Sequence, residues 1–347
     1  MKESAGGAVA LYTGPADRWD DVVRRAPGGT HFHRWAWKGV LKRALGHESD
    51  YLASMGTDGI PAGILPLIHV RSLLFGRYLV SMPFVNYGGP LGDAESVRAL
   101  THAAVGAADR AGAKLLELRS RVELPVDLVV SHRKITVLLD LPERDPKVLW
   151  EALPAKVRSQ IRRPQKEGLR VRFGGEQLDP FYAVFAEHMR DLGTPVQSRR
   201  LFTEIRGAFP DDVWFACVYH GDQAVAGGCG FRWNAEFEIT WASSLRAFNR
   251  MAPNMLLYWA FLERCVVEGV KVFNFGRCSP GSGTHRFKQQ WGARDEPLWW
   301  YQHSRGGGDA ATPSPDEGAY SWGPRLWQYL PLAVANRLGP TIVRGIP

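Results

Sequence analysis

The residue types best suited to chemistry lie together near the carboxyl end, in VFNFGRCSPGSGTHRFKQQWGA, residues 272–293. A short apolar run ends at Gly276-Arg277, and a loop of small residues follows from Cys278 to Gly283. The next positions combine three potential cations with an aromatic ring: His285, Arg286, Phe287 and Lys288. Backbone N–H groups beside fixed cations suit an anion, either a phosphate or a developing oxyanion. The alternative is an ordinary Gly/Ser turn with solvated charges.

A strongly basic run, VRSQIRRPQKEGLRV, occupies residues 157–171. Between Lys156 and Arg172 the only acidic residue is Glu167, although a solvated helix face normally mixes both signs. This surplus of positive charge favours a phosphate-binding surface, and the alternative is a basic surface without a ligand. Since the run has no aromatic residue, it predicts attraction to phosphate without base stacking. The predicted phosphate ligands are Arg158, Arg162, Arg163 and Lys166.

These segments resemble the Fem family of transferases. Residues 272–293 match its C-terminal signature, in which a strand ending in Gly-Arg leads through a Gly/Ser/Thr loop to Phe-Lys and then Trp-Gly. Residues 157–171 look like its basic helix ending in Lys-x-Gly-Leu-x-Val. SMPFVNYGGPLGD, residues 81–93, looks like the aromatic-Gly loop of the Fem-related subgroup associated with exosortase/PEP-CTERM systems. The sequence departs from the family pattern at Pro164, inside the basic helix, and at Cys278, where the family usually has Ser.

The resemblance and the local chemistry together assign roles to these residues. We expect the Lys288 ammonium to neutralise a donor phosphate or an oxyanion, as the matching family lysine is thought to do. Phe287 would wall the channel and exclude water, and Arg277 would form an ion pair or contact a phosphate. The expected substrate contacts are Asn86, Tyr87, Gly88, His285, Arg286 and Trp291. For residues 86–88 a plain turn before the next helix is the alternative.

An internal repeat predicts the architecture. Ala62-Gly63 recurs as Ala226-Gly227, and Gly112-Ala113-Lys114 recurs as Gly269-Val270-Lys271, in the same order and at nearly the same separation. The repeat predicts one supersecondary unit used twice, although helix–strand units are common enough to produce such matches. With the family resemblance, it implies a mixed α/β (α+β) fold of two tandem GNAT-like acyltransferase domains with a C-terminal helical tail. Glycine-rich residues 227–230 are expected to let a central strand splay and hold a carbonyl.

The predicted boundaries follow from changes in composition. LPERDP, residues 141–146, separates a first domain (1–143, acceptor side) from a second domain (144–303, donor and catalytic side). Residues 304–320 are rich in Gly, Pro and Asp and predict a flexible linker. The tail, 321–347, has apolar residues at roughly helical spacing, interrupted by Pro331. It could lie on a membrane surface through Arg325, Arg337 and Arg344, or dock on the first domain, which we favour.

Composition limits the class of protein. The chain has 347 residues, 45% of them hydrophobic, with 13 Trp, which fits two folded domains. The net charge of +8 permits an anionic partner without identifying one. Four Cys without CxxC spacing predict a reducing compartment and no metal site. We find no signal-peptide pattern and no apolar window long enough to span a membrane, and therefore expect a cytoplasmic protein, with peripheral contact at the inner membrane surface as an option.

Two other candidates have simpler explanations. Cys278 could act as a nucleophile, but the sequence places no His–acid pair beside it, and a small buried thiol is the favoured interpretation. His31 and His33 could bind a metal as His-x-His, but no carboxylate or Cys lies nearby, which favours a loop or N-cap role.

The resulting functional hypothesis is an aminoacyltransferase that uses no cofactor. Its donor would be aminoacyl-tRNA, and its acceptor an amine of a cell-envelope precursor or peptide. The alternative is an N-acyltransferase using acyl-CoA or an acyl carrier protein in envelope polysaccharide or exosortase-linked biosynthesis. The absence of a clear Arg/Gln-x-x-Gly-x-Gly/Ala loop counts against CoA bound in its usual mode. A third hypothesis is a catalytically silent binding protein.

Overall fold

The computed structural model describes residues 8–72, 75–304 and 322–346, and their contacts form two compact units. One division falls between Arg133 and Lys134, and another between Glu296 and Pro297. The first unit therefore contains the described residues up to 133, together with 297–304 and 344–346. The second unit contains residues 134–296 and 322–343.

The first unit is a sheet covered by helices. Its helices are α1 (Ala16–Arg25), α2 (Trp37–Leu45) and α3 (Ala94–Arg110). Its strands before the first division are β1 (Val9–Leu11), β2 (Glu48–Met55), β3 (Pro61–Ser72), β4 (Gly76–Val80), β5 (Leu91–Gly92), β6 (Leu115–Ser120) and β7 (Val129–Ser131).

The second unit repeats this composition. Its helices are α4 (Pro146–Ala152), α5 (Ala155–Lys166), α6 (Leu178–Asp191), α7 (Arg199–Ala208), α8 (Pro253–Val267) and α9 (Gly283–Gln289). Its strands are β8 (Ile135–Asp140), β9 (Arg170–Phe173), β10 (Val213–His220), β11 (Gln223–Trp233), β12 (Glu236–Ser244), β13 (Val272–Cys278) and β14 (Arg294–Pro297). The chain continues with β15 (Trp299–His303), α10 (Trp322–Trp327) and α11 (Leu332–Val343).

The two sheets have the same strand order. The first runs β1-β2-β3-β4-β6-β15-β7, with β5 paired to β3, and the second runs β9-β10-β11-β12-β13-β8-β14. A parallel pair lies at the same place in each sheet, β4 with β6 and β12 with β13. Ala62-Gly63 and Ala226-Gly227 lie on the corresponding strands β3 and β11. The predicted mixed α/β fold with a duplicated unit and a C-terminal helical tail is confirmed.

The glycines of the repeat end equivalent helices. Gly112 (φ 60°) follows α3, and Gly269 (φ 73°) follows α8, both in the left-handed region that favours glycine. In each case the next N–H reaches back to a carbonyl five residues earlier, Ala113 to Ala108 and Val270 to Cys265, at 2.9 Å. This turn sends the chain from each helix into the parallel strand of its sheet.

The predicted domain boundaries differ from the observed units. Strand β8 lies before residue 144, but it pairs with β13 in the second sheet. Strand β15 lies before residue 304, but it pairs with β6 and β7 in the first sheet. The prolines of LPERDP mark only the turn between β8 and α4, because strand pairing over long sequence separations decides which sheet a segment joins.

The core of the second unit is built around α8. Eleven residues of this 15-residue helix are buried, so it is apolar on nearly every side. It packs against β10, β11, β12 and α5. The ring centroid of Phe237 on β12 lies 5.3 Å from that of Phe261 on α8 and 4.7 Å from that of Trp214 on β10. Each such side chain contributes about 1.5–3 kcal/mol on burial, so this layer holds β12 firmly in place.

The C-terminal tail docks on the second unit, which corrects the expectation of docking on the first domain. Helix α11 packs against α6 and buries Ala335, Gly339 and Val343, which are spaced four residues apart. A Cβ at Gly339 would lie 2.9 Å from the backbone nitrogen of Val196, so only glycine allows this approach. Apart from residue 304, the predicted linker lies outside the described residues. Among the described helices, none is both long and apolar enough to cross a membrane.

Candidate active site

The parallel strands β12 and β13 separate partway along their length. They pair at three positions, Glu236 with Val272, Phe237 with Phe273, and Glu238 with Asn274. Beyond these positions β12 runs on to Ser244 and β13 to Cys278 without pairing to each other. The carboxyl ends of two neighbouring strands therefore border an opening in the second unit, a common place for ligands in sheets of this kind.

The glycine-rich stretch of β11 is not the source of this opening. Residues 227–230 pair with β10 on one side and β12 on the other. A Cβ at Gly228 would meet the Phe261 ring at 2.9 Å, and one at Gly230 would meet the Glu238 carbonyl oxygen at 2.4 Å. These glycines allow close packing of the neighbouring layers, and the pairing with β12 shifts register between Cys229 and Gly230. The separation of strands lies between β12 and β13, and the carbonyl-binding role expected of residues 227–230 stays a prediction.

A buried polar cluster lies where β12 and β13 separate. The side chains of Thr136, Glu238 and Asn274 are all 5% exposed or less. Thr136 Oγ1 donates to Asn274 Oδ1 at 2.7 Å, and Asn274 Nδ2 lies 3.4 Å from Glu238 Oε2. No sequence motif marks these three residues as functional. The available signal was a polar Asn within the apolar run VFNF and a Glu on the polar side of an alternating strand.

Lys288 reaches the end of β13 from α9. Its Nζ donates to the carbonyl oxygens of Gly276, at 2.6 Å, and Arg277, at 2.9 Å. Lys288 is only 3% exposed, and this burial lowers the pKa of its ammonium group to about 8. Electrostatic interactions with Cys278 and Glu238 act in the opposite direction and raise the pKa, but they are smaller than the effect of burial. Lys288 therefore ties β13 to α9 and puts a titratable positive charge beside the opening.

His285 holds the loop between β13 and α9. Its Nδ1 accepts a hydrogen bond from the Gly281 N–H at 2.9 Å, so the ring proton lies on Nε2, which is 2.9 Å from both carboxylate oxygens of Asp295. Arg286 Nη1 donates to the Gly281 carbonyl at 2.7 Å. The arrangement makes His285 an anchor of the loop between β13 and α9, and its contact with a substrate stays a prediction.

Phe287 and Trp291 pack into the apolar core of the second unit. Their ring centroids lie 5.0 and 6.2 Å from that of Tyr258 on α8. Phe287 is partly buried, as a channel wall requires, but Trp291 is only 1% exposed. Trp291 is thus a core residue, and its predicted contact with substrate is not possible without moving the core.

Arg277 and Cys278 are the last two residues of β13. Arg277 is partly exposed and lies opposite Thr136 of β8. Burial raises the pKa of the Cys278 thiol, so the reactive thiolate is disfavoured despite the neighbouring Lys288 and Lys134. The structure supports a small buried thiol here over a nucleophile.

The aromatic-Gly loop of the first unit is largely buried. Asn86 and Tyr87 are 6% and 0% exposed, and the N–H groups of Gly88 and Gly89 donate to the Arg119 carbonyl on β6. The loop thereby takes up the edge of β6 beyond its pairing with β4. Residues 86–88 therefore take part in the packing of the first unit, and their contact with a substrate stays a prediction.

His33 supports the same loop. Its Nε2 lies 3.0 Å from the Gly89 carbonyl oxygen, and its Nδ1 lies 2.9 Å from Thr30 Oγ1, so both ring nitrogens are engaged. Burial lowers the pKa of His33 to about 4, which keeps the ring neutral. These contacts agree with the predicted loop and N-cap role. No cluster with the composition of a metal site occurs among the described residues.

The basic run divides into structural and exposed cations. Arg158 Nη1 donates to the carbonyls of Glu151, at 2.8 Å, and Leu153, at 2.9 Å, and so caps the end of α4. The Arg162 guanidinium lies 5.1 Å from the centroid of the Trp150 ring. Arg162, Arg163 and Lys166 are all exposed on α5. These three cations stay predicted phosphate ligands, whereas Arg158 is engaged by the end of α4.

Part of the second unit matches a known domain family. Residues 155–289 match the family described as an acetyltransferase (GNAT) domain, which lies within the second unit. The matched residues include β12, β13 and α9, which carry the site described above. No curated protein sequence matches the chain.

Several solved structures match most of the chain. A crystal structure of FemX matches with a TM-score of 0.64 and 15% identity, covering 85% of this chain and 97% of FemX. The C-terminal domain of a putative lysylphosphatidylglycerol synthetase from Agrobacterium fabrum matches with a TM-score of 0.55 and 16% identity, covering 82% and 90%. A tandem GNAT protein from the clavulanic acid pathway matches with a TM-score of 0.53 and 13% identity, covering 85% and 96%. The fold is therefore that of a tandem GNAT protein.

Proposed function

We propose that this protein transfers an aminoacyl group from aminoacyl-tRNA to an amine of a cell-envelope precursor or peptide. The observation that carries the proposal is the position of Lys288 and the Glu238–Asn274 cluster at the opening between β12 and β13. The likeness to FemX and to a putative lysylphosphatidylglycerol synthetase favours an aminoacyl donor and an envelope acceptor.

The transfer requires no covalent enzyme intermediate. The amine nitrogen attacks the ester carbonyl, an N–C bond forms, and the C–O bond to the ribose breaks. The amine loses a proton and the leaving ribose oxygen gains one. Glu238, a buried carboxylate of the cluster, would accept the amine proton. The Lys288 ammonium would stabilise the oxyanion or a donor phosphate.

Exposed cations of α5 are proposed to hold the donor. Arg163 and Lys166 have the exposure that a phosphate ligand needs. Lys156 and Arg170 are also exposed at the two ends of the same run. Together they form a positively charged strip on the second unit that suits a phosphate backbone.

An N-acyltransferase using acyl-CoA or an acyl carrier protein is the second candidate. It is favoured by the acetyltransferase (GNAT) domain match. In this case the acyl thioester carbon–sulfur bond breaks, and the acceptor is again an amine. The association with exosortase/PEP-CTERM export belongs to this candidate and rests only on the resemblance of residues 81–93.

One experiment separates the two candidates. Purified protein is incubated with charged tRNA pools, with acyl-CoA or with acyl carrier protein, each with candidate amines, and the consumed donor is identified by mass spectrometry. Consumption of charged tRNA alone supports the aminoacyltransferase. Consumption of a thioester alone supports the second candidate, and consumption of neither donor contradicts both candidates.

We propose the cytoplasm as the location of the protein, since both donor types are cytoplasmic.

A further inference from the structure

The C-terminal segment exposes several large apolar side chains to solvent. Tyr329 is 85% exposed and Leu326 is 60% exposed, in and just after α10. On α11 the exposed apolar residues are Val334, at 40%, and Leu338, at 46%. The opposite face of α11 is already occupied by its packing on α6, so this exposure is not needed to hold the tail in place.

The same surface is bordered by positive charge. Arg325 and Arg337 are exposed beside these apolar residues, and residues 322–343 include no Asp or Glu. A solvated surface helix normally carries both signs of charge. Exposed Tyr and Leu next to arginine without acids are typical of segments that lie in the headgroup region of a bilayer.

The end of α6 extends this surface. Arg190 Nη1 lies 3.4 Å from the Leu330 carbonyl oxygen, and the following apolar residue, Leu192, is 48% exposed. The nearest acid, Asp191, is neutralised by Arg190 at 2.7 Å, and Arg246 donates to its backbone carbonyl at 2.6 Å. Glu187, one turn earlier on α6, is partly buried. The local balance of exposed charge thus remains positive.

We propose that this tail surface docks on the headgroups of an anionic lipid bilayer. It is defined as Leu192, Leu326, Tyr329, Val334, Leu338, Arg325 and Arg337. The apolar side chains would enter the boundary between headgroups and acyl chains, while the arginines pair with lipid phosphates. A second copy of the chain is a poorer occupant, because it would bring like charges together. The proposal goes beyond the transferase activity and does not depend on it.

Vesicle binding by the full chain tests the proposal. The wild-type protein is sedimented with vesicles of phosphatidylcholine alone, or of phosphatidylcholine mixed with phosphatidylglycerol. We expect binding to the anionic vesicles, little binding to the neutral ones, and weakening with salt. Absence of binding to anionic vesicles would overturn the proposal.

Two variants and a matched control locate the contact. Arg325→Glu/Arg337→Glu should weaken anionic vesicle binding by about tenfold or more. Arg98→Glu/Lys147→Glu makes the same change in net charge at exposed residues elsewhere and should bind like wild type. Leu326→Ala/Tyr329→Ala keeps the charge and should also reduce binding, because apolar area is lost.

The outcomes are distinguishable. All the substituted side chains are exposed, and an unchanged melting temperature shows that each variant is folded. If the control variant lost as much binding as the Arg325→Glu/Arg337→Glu variant, the loss would be due to net charge alone. That result would overturn the assignment of the contact to the tail surface. A concentration-dependent dimer in light scattering that the tail variants abolish would assign the surface to a second copy instead.

Discussion

The Lys288 ammonium lies 2.6 Å from the carbonyl oxygen of Gly276, so the residue with the strongest catalytic assignment also ties two elements together. A second bond, to the Arg277 carbonyl, uses another of its N–H groups. Lys288 therefore acts on the site through its charge and through the position of β13. Both effects can be measured separately.

Replacing Lys288 should reduce both turnover and stability. Lys288→Met keeps the length and apolar stem of the side chain but removes its hydrogen bonds to the Gly276 and Arg277 carbonyls, which costs about 1–3 kcal/mol. Loss of one oxyanion donor lowers turnover by about a hundredfold or more. Turnover and urea unfolding are measured on the same preparation. An active, folded Lys288→Met enzyme would remove the residue from the mechanism.

The pH dependence should report the titration of Lys288. Because burial lowers the pKa of Lys288 to about 8, the charge is lost as pH rises through about 8, and turnover should fall there. Stability should change in the opposite direction. The unfolded lysine keeps its proton to its ordinary pKa of 10.5, so the unfolded state binds more protons between pH 8 and 10.5, and stability rises with pH.

Two comparisons check this assignment. In Lys288→Met the rise in unfolding free energy between pH 8 and 10.5 should disappear, as measured by urea unfolding at several pH values. Any activity retained by Lys288→Arg should persist above pH 8, because guanidinium stays charged. The same falling limb in wild type and Lys288→Arg would assign the titration to another group.

The exposed cations of α5 should bind the donor, and the capping arginine should not. Arg163→Glu/Lys166→Glu is expected to weaken binding of charged tRNA by about tenfold or more and to flatten its salt dependence. Arg158→Ala should instead lower the melting temperature, because it removes the cap on α4. Binding is measured by titration at several salt concentrations. Affinity of the double variant equal to that of wild type would leave α5 as an ordinary basic surface.

A buried ion pair should dominate the stability of the first unit. Arg119 Nε donates to Glu117 Oε1 at 2.8 Å, with both side chains at most 2% exposed, and the Arg119 guanidinium lies 4.6 Å from the Trp300 ring centroid. Arg119→Met removes the guanidinium from a buried carboxylate, which keeps its hydrogen bond from Gln302, and should cost about 3–5 kcal/mol in urea unfolding. Glu117→Leu/Arg119→Met should recover part of that loss. A single variant as stable as wild type would contradict the pairing.

The sequence by itself determined the features that depend on nearby residues. Gly112 and Gly269 mark equivalent helix ends, because each left-handed turn is closed by a hydrogen bond between residues only five positions apart in the sequence. The basic character of α5 and the amphipathic tail are likewise local patterns, readable from spacing. The family resemblance added the tandem fold, which element order alone suggested but did not identify.

Only the tertiary structure decided which partner each of these residues meets. Strands β8 and β15 change sheets because their backbone bonds are made with β13 and β6, far away in sequence. Arg158 caps the end of α4, whereas Arg163 is exposed to solvent, although the sequence pattern predicts the same basic helix position for both. The Glu238–Asn274 cluster exists because two strands run side by side and then separate. Sequence spacing specifies side-chain type and local geometry, whereas burial and long-range pairing determine which charges remain available for chemistry.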